Sequence, residues 1–120
     1  MFEIVVRQHF NAAHALRGYP GKCAQTHGHN FWVEVIIRGE TLDSLGILID
    51  FKDVKAWLNE ILDEFDHTLL NDHPAFAEVN PSSENIAKYI YERLAPRVAP
   101  HALIQVKLEE TDSYAAIYRR

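Results

Sequence analysis

Apolar and polar positions along the chain predict the order strand, strand, helix, helix, strand, strand. Apolar residues alternate with polar ones over residues 2–7, 29–38 and 102–109, which is the pattern of half-buried strands. Shorter apolar stretches predict one strand at 46–49, after a turn, and a last one at 114–118. The strands therefore cluster at the two ends of the chain.

Apolar residues at helical spacing predict two amphipathic helices in the middle of the chain. Asp50 is well placed as the N-cap of the first helix, and Ser82 or Ser83 as that of the second. Glu84 suits the positive end of the second helix dipole, and Pro96 is expected to end that helix. The predicted buried stripes are Phe51, Val54, Leu58, Ile61 and Phe65 in the first helix and Ile86, Ile90 and Leu94 in the second.

This order predicts one α+β domain over residues 1–120, with an antiparallel sheet and both helices on one of its faces. Such a sheet keeps one uncovered face and two open edges. Because open edges must be blunted or paired, association into a ring or barrel is expected.

Composition narrows the class of protein. Apolar residues make up 48% and charged residues 24% of the 120, which is ordinary for a globular domain. The net charge of −5 argues against a nucleic-acid binder, and no apolar stretch approaches the ~18 residues that span a bilayer. No signal peptide is recognisable, and the single cysteine, Cys23, fits a reducing compartment. We therefore expect a cytoplasmic protein without membrane or nucleic-acid partners.

The segment His27-Gly28-His29 opens the second predicted strand. Positions i and i+2 of a strand project from the same face, so both imidazoles point one way, at the rim of the face that carries Phe31 and Val33. Two neutral imidazoles suit a borderline metal such as zinc, with Gly28 leaving room for their close approach. On its own the motif is weak, since two surface histidines can share this spacing by chance.

His14 offers a third imidazole. It ends the run FNAAH, whose small residues allow close packing just after the first strand. If the first two strands pair as a hairpin, His14 approaches His27 and His29. Three histidines with an open fourth position are typical of a catalytic zinc site. Taken alone, a histidine such as His14 is more commonly a hydrogen-bonded core residue than a metal ligand.

Two further places could supply acid–base chemistry. Cys23 lies four residues before His27 in a glycine-containing loop, where a thiolate could act as base or nucleophile. Asp66 and His67 close the first predicted helix, and a carboxylate beside an imidazole can orient it for proton transfer. The alternatives are a small buried hydrophobe for the cysteine and a helix-dipole partner for the histidine.

Strand parity separates Glu109 from Glu110. In a regular strand Glu109 faces solvent with Lys107, whereas Glu110 falls on the face of Val106 and Leu108. A carboxylate on that face needs a partner, and a ligand with neighbouring N–H donors would satisfy it in a bidentate manner. If the strand ends before Glu110, the carboxylate is simply solvated.

Together these motifs resemble the superfamily of 6-pyruvoyltetrahydropterin and 6-carboxytetrahydropterin synthases. The resemblance implies the tunnelling fold, a four-stranded antiparallel sheet with two helices whose subunits join into a barrel, typically a homohexamer made of two trimers. It also implies a small-molecule pterin substrate. The matching stretches follow the family order over nearly the whole chain: FNAAH at 10–14, CAQTHGHN at 23–30, DFKDVK at 50–55, LDEFDHTLLN at 62–71, NPSSENIA at 80–87 and EETDSYAAIY at 109–118.

The resemblance also implies residue roles. The residues matching the family's zinc ligands are His14, His27 and His29, and the one matching its catalytic base is Cys23. An Asp-His pair matching Asp66 and His67 assists that base. The glutamate matching Glu110 grips the amino edge of the pterin, and Ser82 and Ser83 stand where the family's helix start also touches it. Because sites in this family lie between subunits, a neighbour is expected to supply part of this set.

The spacing of four between Cys23 and His27 and the short chain resemble the bacterial branch of the 7-deazaguanine (queuosine) route. The resemblance to that branch implies a zinc-dependent carbon–carbon lyase. Enzymes of this kind convert 7,8-dihydroneopterin triphosphate and water to 6-carboxytetrahydropterin, acetaldehyde and triphosphate. The runner-up is 6-pyruvoyltetrahydropterin synthesis by triphosphate elimination.

The histidines also allow two other interpretations of the function. Gly21, the two histidines of the HGH segment and Glu34 fit the first half of a cupin motif, which would make the protein a metal oxygenase. Glu34 has the wrong strand parity for a shared metal, however, and a cupin would be nearly all β. The second reading is a ring-forming protein that stores or senses zinc, for which Cys23 and Glu110 would have no role.

Overall fold

The structure, a computed structural model, describes residues 1–120 as five strands and two α-helices with three short 3₁₀ turns. The elements in chain order are β1 (Phe2–His14), β2 (His27–Gly39), α1 (Phe51–Leu62), β3 (Thr68–Leu69), α2 (Ser83–Val98), β4 (Ala102–Thr111) and β5 (Tyr114–Arg119). The α+β class and the order of the long elements are as predicted. None of the helices is long and apolar enough to cross a membrane.

The strands form one sheet in the order β3-β1-β2-β4-β5. The long strands pair antiparallel, and β1 and β2 form a hairpin in register from Phe2 opposite Gly39 to His14 opposite His27. The prediction of four antiparallel strands is wrong, because β3 adds a fifth strand parallel to β1 at Ala12. A two-residue strand is too short to leave an alternating pattern in the sequence.

The core lies between one face of the sheet and the two helices. Alternate residues of β1, β2 and β4 point to that face and are buried, among them Phe10, Phe31 and Val106. Both helices pack against it, as the sequence predicted, and they also contact each other. The opposite, outer face is uncovered and carries Trp32 and an ion pair between Arg7 and Glu34.

The predicted helix caps are present. The side chain of Asp50 accepts a hydrogen bond of 2.8 Å from the backbone nitrogen of Lys52, and Ser82 accepts one of 3.2 Å from that of Asn85. The prediction that Pro96 ends the second helix is wrong: α2 continues to Val98. A proline in the last turn removes one backbone hydrogen bond, which the packing of the turn outweighs.

The buried stripe of the first helix differs from the prediction at both ends. The helix stops at Leu62, and Phe65 is buried in the turn that follows it. Phe51 is 60% exposed although it fits the helical spacing. The apolar pattern therefore runs past the helix at its C-terminal end, because the turn packs on the same core.

Two strand predictions also change. Residues 46–49 form no strand, because the side chain of Asp43 accepts hydrogen bonds from the backbone nitrogens of Leu45 and Ile47 and holds a turn at Gly46, whose φ is +81°. In β4, a bulge shifts the pairing with β2 so that Leu103 is buried where the alternation predicted Ile104.

The sheet has open edges. β5 pairs only with β4, and β3 covers β1 only at Ala12 and Ala13. The rest of β1 has no strand partner on that side. The expectation of open edges and an uncovered face is therefore met within one chain.

Candidate metal and acid–base site

The end of the β1–β2 hairpin brings the three predicted histidines together. His14 lies directly opposite His27, and Ala12 lies opposite His29. The ring centroids are 4.6 Å apart for His14 and His27, 4.8 Å for His27 and His29, and 5.4 Å for His14 and His29. All three side chains point to the core face, where His14 is 1% exposed and packs against Phe31. The hairpin hypothesis that linked His14 to the HGH segment is correct.

Backbone carbonyls orient two of these rings. Nδ1 of His14 donates to the carbonyl oxygen of Pro81 at 2.7 Å, and Nδ1 of His27 donates to that of Gln25 at 2.7 Å. A carbonyl oxygen can only accept, so in the neutral ring the proton is on Nδ1 and the lone pair of Nε2 faces the cluster. Metal-binding histidines are held in this way by partners on their other nitrogen.

Glu110 joins the cluster through a β-bulge. The β4–β5 pairing passes from Glu109 opposite Ala115 to Thr111 opposite Tyr114, which leaves Glu110 as an extra residue. Its side chain faces the core, as parity predicted, although the strand is irregular there. Glu109 points to the outer face, where it pairs with Arg7.

One carboxylate oxygen of Glu110 lies where the imidazoles converge. Oε1 is 2.9 Å from Nε2 of His14, 3.0 Å from Nε2 of His29 and 3.9 Å from Nε2 of His27. Oε2 accepts a hydrogen bond of 3.1 Å from the hydroxyl of Ser83 at the start of α2. The sheet, the loop before α2 and the helix itself therefore meet at this cluster.

The donor set fits a metal cation. Four ligand atoms, one from each histidine and one from Glu110, lie within 4.8 Å of one another. Nε2 of His29 is buried without a hydrogen-bond partner, since the nearby carboxylate is not aligned with it. Both ring nitrogens of His14 face oxygen acceptors, which one proton cannot satisfy. A cation bound to Nε2 resolves both mismatches, and three imidazole nitrogens are a common ligand set for zinc.

The charge state of His29 also suits a ligand. Burial lowers the pKa of His29 below 6.5, the negative charge of Glu110 opposes this, and the neighbouring His14 and His27 lower it further. A lowered pKa favours the neutral imidazole at neutral pH, which is the form that binds metals.

Cys23, His27 and His29 border the same cavity, of about 410 Å³, whereas the buried His14 does not line it. Cys23 is half-buried in a 3₁₀ turn over Lys22–Ala24, whose position is fixed by a 2.8 Å hydrogen bond from the nitrogen of Leu16 to the carbonyl oxygen of Cys23. A cavity of this size can take a small organic molecule. Its lining residues are Lys22, Cys23, Gln25, Thr26, His27, His29, Glu110, Thr111 and Tyr114.

Asp66 and His67 lie outside that cavity. Because α1 ends at Leu62, the pair sits in a turn and does not close the helix as predicted. Oδ1 of Asp66 accepts a 2.9 Å hydrogen bond from the nitrogen of Asn11, and Oδ2 is 3.6 Å from Nε2 of His67. His67 has a φ of +58°, is 79% exposed and lines a separate shallow cavity that also includes His29. Within one chain, Cys23 and His67 therefore do not share a cavity.

The two predicted serines have different positions. Ser82 is the N-cap of α2, and Ser83 touches Glu110. Of the pair, Ser83 is the one in contact with the cluster.

Sequence reasoning missed the orienting carbonyls and misjudged one glycine. The carbonyl groups of Pro81 and Gln25 leave no trace in the sequence, because every residue has one. A Cβ on Gly28 would meet nothing closer than the carbonyl oxygen of Ala12 at 3.8 Å, so the idea that Gly28 makes room for the histidines is wrong.

The chain is similar to known proteins over nearly its whole length. The sequence profile of the family described as 6-pyruvoyl tetrahydropterin synthase matches residues 3–120. The chain belongs to this family. It is 42% identical over 110 residues to a provisionally named 6-carboxy-5,6,7,8-tetrahydropterin synthase of Archaeoglobus fulgidus, covering 92% of this chain and 90% of that one.

Two more proteins are similar to this chain over most of their length. The chain is 32% identical over 127 residues to the 6-carboxy-5,6,7,8-tetrahydropterin synthase of Bacillus subtilis, covering 98% of this chain and 85% of that one. The solved structure of the Caenorhabditis elegans 6-pyruvoyl tetrahydropterin synthase superposes with a TM-score of 0.88 at 30% identity, covering 99% and 95% of the two chains.

Membership of this family excludes the cupin alternative. Glu34 lies on the outer face beside Arg7 and cannot share a metal with His27 and His29 on the core face. The two helices packed on one side of the sheet are equally foreign to a cupin.

Proposed function

We propose that this protein is a 6-carboxy-5,6,7,8-tetrahydropterin synthase of 7-deazapurine (queuosine) biosynthesis. Its substrates would be 7,8-dihydroneopterin triphosphate and water, and its products 6-carboxytetrahydropterin, acetaldehyde and triphosphate. The observation that carries this proposal is that Cys23 and two histidines of the cluster, His27 and His29, border one cavity large enough for a pterin. The names of the relatives from A. fulgidus and B. subtilis support the 6-carboxy product.

His14, His27 and His29 would hold a zinc ion. The unpartnered Nε2 of His29 and the carbonyl-oriented rings of His14 and His27 support this assignment. A zinc ion bound there would act as a Lewis acid towards the side-chain oxygens of the substrate.

Proton transfer falls to residues on either side of the cluster. Cys23, as thiolate, removes a proton near C6 or on the side chain of the substrate. His67, oriented by Asp66, supplies or collects the second proton. Because His67 is exposed and lines a different cavity from Cys23, we propose that the two groups serve one site through contact between subunits.

Glu110 would orient the pterin. Its carboxylate borders the cavity, and its Oε2 is positioned by the hydroxyl of Ser83. A carboxylate can accept two parallel hydrogen bonds from the amino edge of a pterin, which fixes the ring without taking part in bond breaking. Ser82 supports this arrangement by capping α2 next to Ser83.

Glu110→Gln separates this role from metal binding. With three histidines as the ligands, the variant should keep its metal and raise KM for the pterin by about tenfold or more, the scale of a lost charge-assisted hydrogen bond. Elemental analysis and steady-state kinetics measure the two effects. Loss of the metal together with activity would instead make Glu110 a ligand.

The proposed assembly is a cytoplasmic homohexamer whose subunits join their sheets into barrels. The free edges of β1 and β5 and the uncovered outer face support it, because barrel closure removes exposed strand edges.

The deciding experiment is incubation of the zinc-loaded protein with 7,8-dihydroneopterin triphosphate, followed by mass spectrometry of the products, with the Cys23→Ala variant as control. Acetaldehyde together with the 6-carboxy pterin supports the proposal. A 6-pyruvoyl product would establish the alternative activity, for which the C. elegans structure is the precedent. Tight zinc binding with no turnover of either kind would favour the storage or sensing role.

A further inference from the structure

The cavity beside the histidine cluster contains a single lysine or arginine, Lys22. Its side chain is exposed to the cavity and forms no ion pair or hydrogen bond within the chain. The arginines at positions 7, 38, 93, 97 and 120, by contrast, are all paired with carboxylates. Lys22 is therefore a free positive charge at a site that otherwise contains one carboxylate.

The turn that holds Lys22 begins with a backbone conformation that favours glycine at position 21. Gly21 has a φ of +156°, and a Cβ there would lie 3.3 Å from the ring of Tyr19. The 3₁₀ turn that follows carries both Lys22 and Cys23. The ammonium group thus belongs to the same short segment as the proposed base.

Neighbouring polar groups are also free. The side chains of Gln25 and Thr26 line the cavity and make no hydrogen bond within the chain. An amide and a hydroxyl beside an ammonium group are suitable donors for phosphate oxygens.

Arg17, the other cation close in sequence, is already committed. Its Nη2 donates to the carbonyl oxygens of Phe76 at 2.5 Å and Val79 at 2.8 Å. Arg17 also lines a different cavity from Cys23. It holds two loops together and has no role at the histidine cluster.

The geometry points to Lys22 as the residue that binds the triphosphate group of the substrate, with Gln25 and Thr26 beside it. This inference rests on the proposed function for the identity of the substrate. A chain with a net charge of −5 repels a polyphosphate on average, so recognition requires a local positive charge. Lys22 and Glu110 would then bind opposite ends of one ligand, the phosphates and the amino edge.

The test compares Lys22→Gln and Lys22→Arg with Lys88→Gln, a matched control in which an exposed, unpaired lysine of α2 is changed. Calorimetry of the zinc-loaded proteins with inorganic triphosphate should show affinity lowered about tenfold or more in Lys22→Gln, which is the scale of one charge-assisted contact. Lys22→Arg and Lys88→Gln should remain close to the parent. Metal content measured after each titration controls for removal of zinc by the triphosphate.

Steady-state kinetics and a ligand without phosphates show whether the effect of Lys22 is specific to the triphosphate group. In Lys22→Gln the KM for dihydroneopterin triphosphate should rise while kcat changes little, and binding of unphosphorylated 7,8-dihydroneopterin should not change. An effect through the adjacent Cys23 would lower kcat instead. Equal triphosphate affinity in Lys22→Gln and Lys88→Gln, or no triphosphate binding by the parent protein, overturns the inference. Binding that depends on Lys22 without turnover would overturn the proposed function and leave the anion site established.

Discussion

Single residues at the end of the β1–β2 hairpin carry the chemistry proposed for this protein. From the sequence, strand alternation predicted that His27 and His29 share a face, and that His14 approaches them if the first two strands form a hairpin. It also placed Glu110 on the core face. It could not show that carbonyl groups of Pro81 and Gln25 set the ring tautomers, since backbone groups have no sequence signature.

Cys23→Ala and His27→Ala should fail in different ways. Removing the thiol is expected to lower kcat by about 100- to 10,000-fold, the usual contribution of a general base, with zinc still bound. Removing the imidazole is expected to abolish both metal binding and activity. Elemental analysis and product assays on both variants check this. A Cys23→Ala protein with the parent's rate would show that the thiol is not the base.

Secondary-structure elements position these residues, and their termini were harder to predict than their existence. Strong periodicity identified β1, β2, both helices and β4. The end of α1 at Leu62 and the passage of α2 through Pro96 depend on tertiary packing that outweighs local preference. The bulge that makes Glu110 an extra residue depends on the pairing of β4 with β5, which no single strand encodes.

Ser82→Ala and Ser83→Ala form a matched pair at the start of α2. Loss of the Ser82 cap should lower the free energy of unfolding by about 1 kcal/mol with little change in kcat. Ser83→Ala should have a smaller effect on stability and raise KM, because Glu110 loses its hydrogen bond. Denaturant unfolding and kinetics separate the two outcomes. The same stability loss in both variants would contradict the division of roles.

A polar cluster links the turn after α1 to α2. Burial of Glu64 disfavours its charge, but hydrogen bonds from Tyr89 at 2.6 Å and from His73 at 2.9 Å, together with the charge of Arg93, lower the pKa of Glu64 below 4.5. Burial and the hydrogen bond to Glu64 raise the pKa of Tyr89 to about 12. The carboxylate and the phenol therefore stay in the states that bond to each other across the neutral range.

Glu64→Gln should therefore destabilise the fold in a pH-dependent manner. The lowered pKa of Glu64 contributes stability that is fully present above pH 4.5 and is lost as the pH falls through the folded-state value. At pH 7 the variant should lose about 1–2 kcal/mol of unfolding free energy, and the difference from the parent should shrink below pH 4.5. Thermal or denaturant unfolding across pH measures it, with Glu78→Gln at an exposed, unpaired position as control. A difference independent of pH would refute the mechanism.

At the scale of the whole molecule, the sheet has open edges and the two proposed acid–base groups lie apart. β1 and β5 have free edges, and Cys23 and His67 border separate cavities of one chain. The sequence predicted the open edges from the element order. It could not predict the separation of Cys23 from His67, because the distance between residues on different elements depends on the fold.

Mixed oligomers test whether neighbours complete the site. The Cys23→Ala and His67→Ala proteins should each have strongly reduced activity, whereas subunits of the two variants that are denatured together and refolded should recover activity. Random assembly restores about one quarter of the sites if each site takes these two residues from different subunits. Activity assays before and after co-refolding, with each variant refolded alone as control, give the comparison. No recovery in the mixture would place both groups of a working site on one chain.

The backbone at Gly28 offers a way to measure how substrates use the two cavities. Position 28 is exposed, would place a Cβ 3.8 Å from the carbonyl oxygen of Ala12, and borders the shallow cavity that His29 and His67 also line. A series of progressively larger side chains at position 28 would fill the shallow cavity step by step. The strand register that positions the three imidazoles would stay the same. The size at which different pterins stop reacting would map how far each one extends beyond the proposed metal site.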